Sequence, residues 1–323
     1  MDEMEDINKR NLIKIAHWYY NEGMTQEEIA IKLNCTRQKI NKIINSLVDM
    51  GVVTISINGM DDDKYVRLEN ALEKEFSVSQ IVIADIDHCP NQMLRQLGKK
   101  AAYWLDEFIK NKQVVGISWG EALSATVSNM RVQNKSSCNV VQLVGGMDID
   151  HNLRMIKPDE LTRLLAHKLS CNHTLLYAPA VMESNTAREV IINDITVRKV
   201  FEMISKCDVA IVGIGQLSAE STAAKLGYLS EDDLKTYEDE GYVGEIAFNP
   251  FKQDGQWQKS AHHSKVIGID AVMLEKIPYV VAVAGGIDKI NAVLGALKTG
   301  CIDVLITDSI LAKGLADRIG LSY

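Results

Sequence analysis

No apolar run in the 323 residues reaches the roughly 18 that a membrane-spanning helix needs. The best candidate, Ile277–Ala284, contains Pro278 and stops at Gly285, so no membrane partner is expected. The opening MDEMEDINKR is acidic and lacks an apolar core, which argues against a secretory signal peptide. Cysteine is sparse: Cys35, Cys89, Cys138, Cys171, Cys207 and Cys301 are scattered with no C-x-x-C pair. That spacing supports neither a disulfide framework nor a zinc finger, and fits a reduced, cytoplasmic protein. Repeats and low-complexity tracts are absent as well. Basic residues are in deficit, 35 Lys+Arg against 43 Asp+Glu, and the formal net charge of −8 argues on its face against a nucleic-acid partner.

What is present is the mixture of a folded globular chain, 46% hydrophobic and 24% charged. At about 100–200 residues per domain the length suggests two domains, with enough core that no metal, cofactor or disulfide is needed for folding. Composition changes at Asn58–Lys64, NGMDDDK, where Gly59 and three consecutive aspartates break every periodic pattern. We therefore divide the chain into a small α domain, 1–58, and a large α/β domain, 59–323.

The large domain opens with a helical stretch, Tyr65–Phe76. Compact apolar runs then read as buried parallel strands: Gln80–Ala84, Gln113–Ile117, Val140–Val144, Thr174–Tyr177, Val209–Ile214, Val266–Ile269, Tyr279–Ala284 and Asp303–Ile306. Amphipathic helices fall between most of them, at Met93–Lys110, Glu160–Leu169, Ala187–Ser205, Lys289–Lys298 and Ser309–Arg318. The alternation predicts an open, doubly wound, mostly parallel sheet covered on both faces. Ligands of such sheets bind beyond the carboxyl ends of the strands, so the loops after these runs hold the candidate site.

In the small domain, TQEEIAIKLNCTRQKINKII (Thr25–Ile44) carries the clearest signal. Ile29, Ala30 and Leu33 form the inner face of one helix, and small Ala30 lets a second helix cross closely. Asn34 tolerates the left-handed conformation of a tight turn. Thr36 can cap the second helix, whose inner face is Ile40, Ile43, Ile44 and Leu47. This is a helix-turn-helix pattern, and such a second helix enters the major groove. Between Ile29 and Val48 the ionisable residues are Lys32, Arg37, Lys39 and Lys42, with no acid among them. The average charge therefore hides a local basic face, and steering acts through local fields. Arg37, Gln38, Lys39, Asn41 and Lys42 are the side-chain types that reach bases and phosphates. Lys9–Asn21 reads as an earlier helix ending in Trp18, Tyr19 and Tyr20. Gly51 ends the second helix of the motif, and Val52–Ile57 alternates like the short strand of a wing.

From LIKIAHWYYNEGMTQEEIA, GISWGEAL (Gly116–Leu123), VQLVGG (Val141–Gly146), APAVM (Ala178–Met182), DVAIVGIG (Asp208–Gly215), GEIAFNPF (Gly244–Phe251) and VAGGIDKINAVLGALKTGCIDVLITD (Val283–Asp308), nearly the whole chain resembles the SorC family of sugar-binding transcriptional regulators. The resemblance implies an N-terminal domain that binds a pseudo-palindromic operator. It also implies a large domain related to glucosamine-6-phosphate deaminase and ribose-5-phosphate isomerase, which binds a sugar or polyol, usually phosphorylated, in a homodimer or tetramer. Its DNA contacts would fall on Tyr20, Gln26, Thr36 and the Arg37–Lys42 face.

For the effector, Ser118-Trp119-Gly120 follows a strand and opens a helix, so its backbone N–H groups can form an anion nest; the resemblance assigns that loop to a phosphate. Lys289 follows a strand and a Gly-Gly turn, where the family's lysine faces the ligand. Gly145-Gly146 and Gly213-Ile214-Gly215 allow close backbone approach after two further strands. Gly213-x-Gly215-x-x-Ser218 mimics a dinucleotide fingerprint but has serine at the third position and reads as a sugar-pocket turn. Glu121, Asp159 and Lys252 depart from the residues common in the family, where Arg or Thr, Asn, and Asp stand. Glu121 and Lys252 could form a swapped charge pair that changes which sugar or polyol fits.

The rival reading is a phosphosugar isomerase or deaminase on the same fold. GEIAFNP is similar to a deaminase motif in which a histidine follows the glycine, but that position is Glu245 here, and His262-His263 on a loop is a poor substitute. A purely architectural DNA-binding protein would have no use for so large an α/β domain. The expectation is a regulator without enzymatic activity.

Overall fold

The computed structural model describes residues 9–54, 64–148, 155–257 and 263–323. Contacts divide the chain into two units, Met1–Lys64 and Tyr65–Tyr323. Residues 58–63 of the expected linker Asn58–Lys64, the wing residues 55–57, and His262 lie outside the described residues.

In the small unit, α1 (Lys9–Ala16) runs on into a π-helical turn, His17–Asn21, and is followed by α2 (Gln26–Lys32) and α3 (Arg37–Ser46). Thr25 and Glu28 cap α2 reciprocally: Glu28 N–H donates to Thr25 Oγ1 at 3.3 Å, and Thr25 N–H donates to Glu28 Oε2 at 2.8 Å. Asn34 makes the turn at φ 51°, and Thr36 Oγ1 accepts from Lys39 N–H to start α3. Ile15, Ile29, Ile40 and Leu47 are fully buried together and hold the three helices. Gly51 turns the chain away from α3 at φ 66°.

The large unit runs α4 (Val66–Phe76), β1 (Gln80–Ala84), α5 (Met93–Phe108), β2 (Val114–Ile117), α6 (Glu121–Asn129), β3 (Asn139–Gln142), α7 (Pro158–Leu169), β4 (Asn172–Thr174), α8 (Asn185–Ile192) and α9 (Ile195–Ile204). It continues with β5 (Val209–Gly213), β6 (Gly215–Gln216), α10 (Thr222–Lys225), α11 (Glu231–Asp239), β7 (Tyr242–Ile246), β8 (Asn249–Lys252), α12 (Ala271–Leu274), β9 (Tyr279–Val283), α13 (Ile290–Lys298), β10 (Val304–Asp308) and α14 (Ser309–Ile319). Seven strands form a parallel sheet in the order β1-β10-β9-β5-β2-β3-β4. Successive strand residues enter opposite cores: Ala210 and Val212 pack on one face, Val209 and Ile211 on the other. Burial on both faces explains why these strands read as continuous apolar runs rather than alternating ones. From β2 the chain moves outward through β3 to β4, then returns to β5 on the other side of β2, so the strand order reverses between β2 and β5. That crevice is where doubly wound sheets bind ligands.

Three sequence expectations change. Ala187–Ser205 is two helices, because Asp194 accepts Thr196 N–H and starts α9 anew. Val266–Ile269 is buried but makes only isolated antiparallel bridges, Val181 to Val266 and Val144 to Gly268, so it is no strand of the parallel sheet. The run expected at Thr174–Tyr177 pairs only through Asn172–Thr174 at the sheet's edge, and Tyr177 is exposed. An antiparallel sheet, β6-β7-β8, also appears beside the main one.

Candidate functional site

A cavity of about 210 Å³ opens at the crevice between β2 and β5. Its floor is held by backbone: Ser118 N–H, just after β2, donates to Ile211 O of β5 at 3.0 Å. Gly213 N–H in turn donates to Ser118 Oγ at 3.4 Å. Gly120, at φ 132°, bends the loop into α6, which presents Glu121 in its first turn. From the sheet's other half, Gly285 and the Ile287–Lys289 turn after β9 close the cavity. Gly286 N–H is fixed by Asp308 Oδ2 at 2.7 Å, at the end of β10.

The third wall is the β7–β8 hairpin. Its two-residue turn, Ala247-Phe248, has φ 53° and 62°, the type I′ signature, although neither residue is glycine or asparagine. Asn249 is buried, and its amide nitrogen lies 3.0, 3.1 and 2.9 Å from the carbonyls of Ile246, Ala247 and Ile269. Phe248 stacks on Trp119 of the β2 loop. Glu245 is buried at the cavity wall, with Oε2 accepting Phe248 N–H at 2.5 Å. Burial raises its carboxyl to about 7, against the lowering effects of Phe248 N–H and of Lys289. Lys289 Nζ donates to Ile214 O at 2.9 Å. Burial lowers its pKa, opposed by Asp288, Glu245 and Glu121.

Among the residues expected from sequence, Ser118, Trp119, Gly120, Glu121, Gly213, Gly215 and Lys289 line this one cavity. Gly145, Gly146, Asp159 and Lys252 do not. Gly145 and Gly146 lie against Ala178 and Pro179: Gly146 N–H donates to Ala178 O at 2.7 Å, and a side chain on Gly145 would strike the Pro179 carbonyl. Asp159 sits in the first turn of α7. Lys252 lies on β8 with its ammonium 5.4 Å from the Tyr242 ring. The cation that senses Glu121 is therefore Lys289, and the expected Glu121–Lys252 pair is not assembled. Sequence reading missed Glu245, Ala247, Asp288 and the Glu220–Ala223 segment. Only Glu245 left a signal, as a lone acid in an apolar strand.

Residues 63–316 match the profile of the family described as "Putative sugar-binding domain". The sorbitol operon regulator of Klebsiella pneumoniae is 28% identical over 313 residues, covering 95% of this chain and 97% of that protein. The erythritol catabolism regulatory protein of Brucella abortus is 27% identical over 314 residues, covering 97% and 98%. The crystal structure of the full-length Klebsiella sorbitol operon regulator superposes with a TM-score of 0.72 at 25% identity, covering 94% of this chain and 98% of that one. The chain belongs to the SorC family of sugar-binding transcriptional regulators. Like those relatives, it is a transcriptional regulator rather than an enzyme.

Among the described residues of the small unit, Arg37, Gln38, Lys39, Asn41 and Lys42 are exposed along α3, and Thr36 and Tyr20 are exposed near it. Gln26, at the start of α2, donates from Nε2 to Asn41 Oδ1 at 3.1 Å, which ties the two helices on their outer side. No described helix is long and apolar enough to cross a membrane.

Proposed function

We propose that residues 1–58 form a helix-turn-helix that reads operator DNA, while residues 59–323 bind a small sugar or polyol that sets operator affinity. The observation that carries the DNA half is the exposed face of α3, where Arg37, Gln38, Lys39, Asn41 and Lys42 project with no acid on the same helix. Arg and Asn side chains there suit guanine and adenine edges, and the lysines suit phosphates. Tyr20, Gln26 and Thr36 flank this face and complete the DNA contacts. The effector half is supported by the cavity at the β2/β5 crevice, where Ser118, Trp119, Gly120, Glu121, Gly213, Gly215 and Lys289 converge.

A homodimer or tetramer, assembled through the large domains, presents paired α3 helices to a pseudo-palindromic site with half-sites about 34–36 Å apart or a multiple of that. The effector shifts the population of such arrangements by a coupling of about 1–3 kcal/mol, about 5–150-fold in operator affinity. A cytoplasmic location agrees with six thiols that are all free, three of which (Cys171, Cys207 and Cys301) burial holds well above the usual thiol range. The phosphorylated form of the effector, implied by the family resemblance, is the one element that the charges of the cavity oppose.

The test is an operator gel shift with the full chain. Arg37→Ala is expected to weaken specific binding at least tenfold. Lys289→Ala is expected to bind operator as the wild type does and to lose the effector response. A Lys289→Ala protein that still responds normally would remove the cavity assignment.

A further inference from the structure

The cavity carries charge mostly of one sign. Among the described residues that line it are four acids, Glu121, Glu220, Glu245 and Asp288, and one ammonium, that of Lys289. Glu220 is paired with Lys225 at 3.0 Å, and Glu245, raised to about 7, is only partly ionised at neutral pH, so Glu121 and Asp288 carry most of the excess negative charge. That ammonium is already engaged: it donates to Ile214 O, and Asp288, Glu245 and Glu121 supply the negative charge around it. A phosphate monoester brings about −1.5 to −2 at neutral pH. Placed here it adds to the carboxylates, and the repulsion grows as water leaves the site.

The anion nest is compromised in the same way. The positive end of α6 is met by Glu121 in the helix's own first turn. The Ser118 hydroxyl oxygen receives Gly213 N–H, so one of its acceptor sites serves the protein itself. A second observation points to what the cavity does take. Glu245 is only 9% exposed and lines the cavity. Its Oε2 takes Phe248 N–H, while Oε1, lying against the bare Gly215, makes no hydrogen bond among the described residues. That oxygen, at the cavity wall and without a partner among the described residues, is placed to accept a ligand hydroxyl. Trp119, which also lines the cavity and is largely buried, adds an apolar surface for the C–H groups of a carbon chain. The volume of about 210 Å³ lies below that of drug-sized pockets, about 300–1,000 Å³, and suits a small molecule.

We infer that the effector is an uncharged, polyhydroxylated small molecule, a free polyol or sugar rather than its phosphate, held through hydroxyl groups by Glu121 and Glu245. The inference rests on the reading of this cavity as the effector site. It differs from that reading in what it excludes: the site rejects the phosphorylated partner of its own ligand.

Matched pairs test it. The full chain is screened by thermal shift, then calorimetry, against four- to six-carbon polyols and aldoses, the terminal phosphate of each, the corresponding amino sugars, and inorganic phosphate alone. At least one free compound is expected to bind, its phosphate at least tenfold more weakly, and inorganic phosphate not at all. Glu121→Gln is expected to weaken the free compound several-fold and to narrow the gap to its phosphate. A phosphate that binds more tightly than its parent overturns the inference and leaves the cavity assignment standing. So does an amino sugar that outcompetes its neutral parent. A chain that answers to none of the compounds loses both.

Discussion

Phe248 stacks on Trp119 with ring centroids 5.2 Å apart and planes 22° from parallel, and it reaches that position from a turn whose two residues both have positive φ. The left-handed conformation costs an L-residue about 1–2 kcal/mol. At Ala247 that strain can be relieved, because Ala247→Gly removes it while giving up about 0.8 kcal/mol of methyl burial. Urea denaturation is expected to find this variant within about 1 kcal/mol of wild type. Ala247→Val, β-branched at φ 53°, is expected to lose about 2 kcal/mol, because β-branched residues rarely adopt this region.

Glu245 makes stability depend on pH. Its carboxyl rises from 4.5 to about 7 on folding, so between those values the folded protein holds a proton that the unfolded chain has released. Stability on this account is full below 4.5, falls as pH rises through the window, and levels off above about 7. At 1.36 kcal/mol per unit the change is about 3 kcal/mol, an upper value. Glu245→Gln keeps an acceptor for Phe248 N–H and cannot ionise. Its melting temperature is expected to match wild type near pH 5 and to exceed it by several degrees at pH 8. Equal melting curves at pH 8 would show that the carboxyl is not held in this way. Lys289 acts in the opposite sense at the alkaline side, where its lowered pKa makes folding release a proton.

Asp308 joins the cavity to α14. One oxygen holds Gly286 N–H at 2.7 Å, and the other accepts Ile310 and Leu311 N–H, both at 2.9 Å. Asp308→Asn puts a donor where one of these acceptors stood. The expected cost is about 1–2 kcal/mol of stability, by chemical denaturation, from the weakened cap. Because Gly286 shapes the Lys289 turn, the same variant should also bind effector more weakly than its stability loss alone accounts for.

On α3, Arg37→Ala and Lys42→Ala should separate under a salt titration. A residue that contacts phosphate lowers the slope of log affinity against log salt by about 1, equally on all sequences. A residue that reads a base instead costs about 1–3 kcal/mol on the operator alone. Fluorescence anisotropy on operator and scrambled DNA distinguishes the two for each position.

The parallel strands were legible because burial on both faces turns them into apolar runs with no competing signal, as at Val209–Gly213 and Val304–Asp308. Val266–Ile269 has the same appearance for a different reason: it packs into the core without entering the ladder, and a composition signal does not distinguish the two. The β7–β8 hairpin escaped notice because its turn uses Ala247-Phe248 where Asn-Gly would announce it. The helices α2 and α3 and the turn between them were readable since caps and turn chemistry are local, as Thr25, Asn34 and Thr36 show. In the cavity, the glycines and serine that follow β2 and β5 marked themselves by their place after strands. Asp288 and Glu220 entered only through tertiary approach, and Gly145-Gly146, read by the same rule, served to pack against Pro179 instead.

The three carbonyls gathered by the Asn249 amide have one more consequence. They lock the Glu245–Phe248 wall before any ligand arrives, so ordering of that side belongs to folding and not to binding. A ligand meets a finished template there, and whatever induced fit accompanies binding must come from the other walls, the exposed Glu220 end of α10 or the Ile287–Lys289 turn. Preorganisation of this kind lowers the entropic cost of association. Under the proposed reading, a small ligand with few atoms to contribute would then lose less of its binding energy to ordering the site.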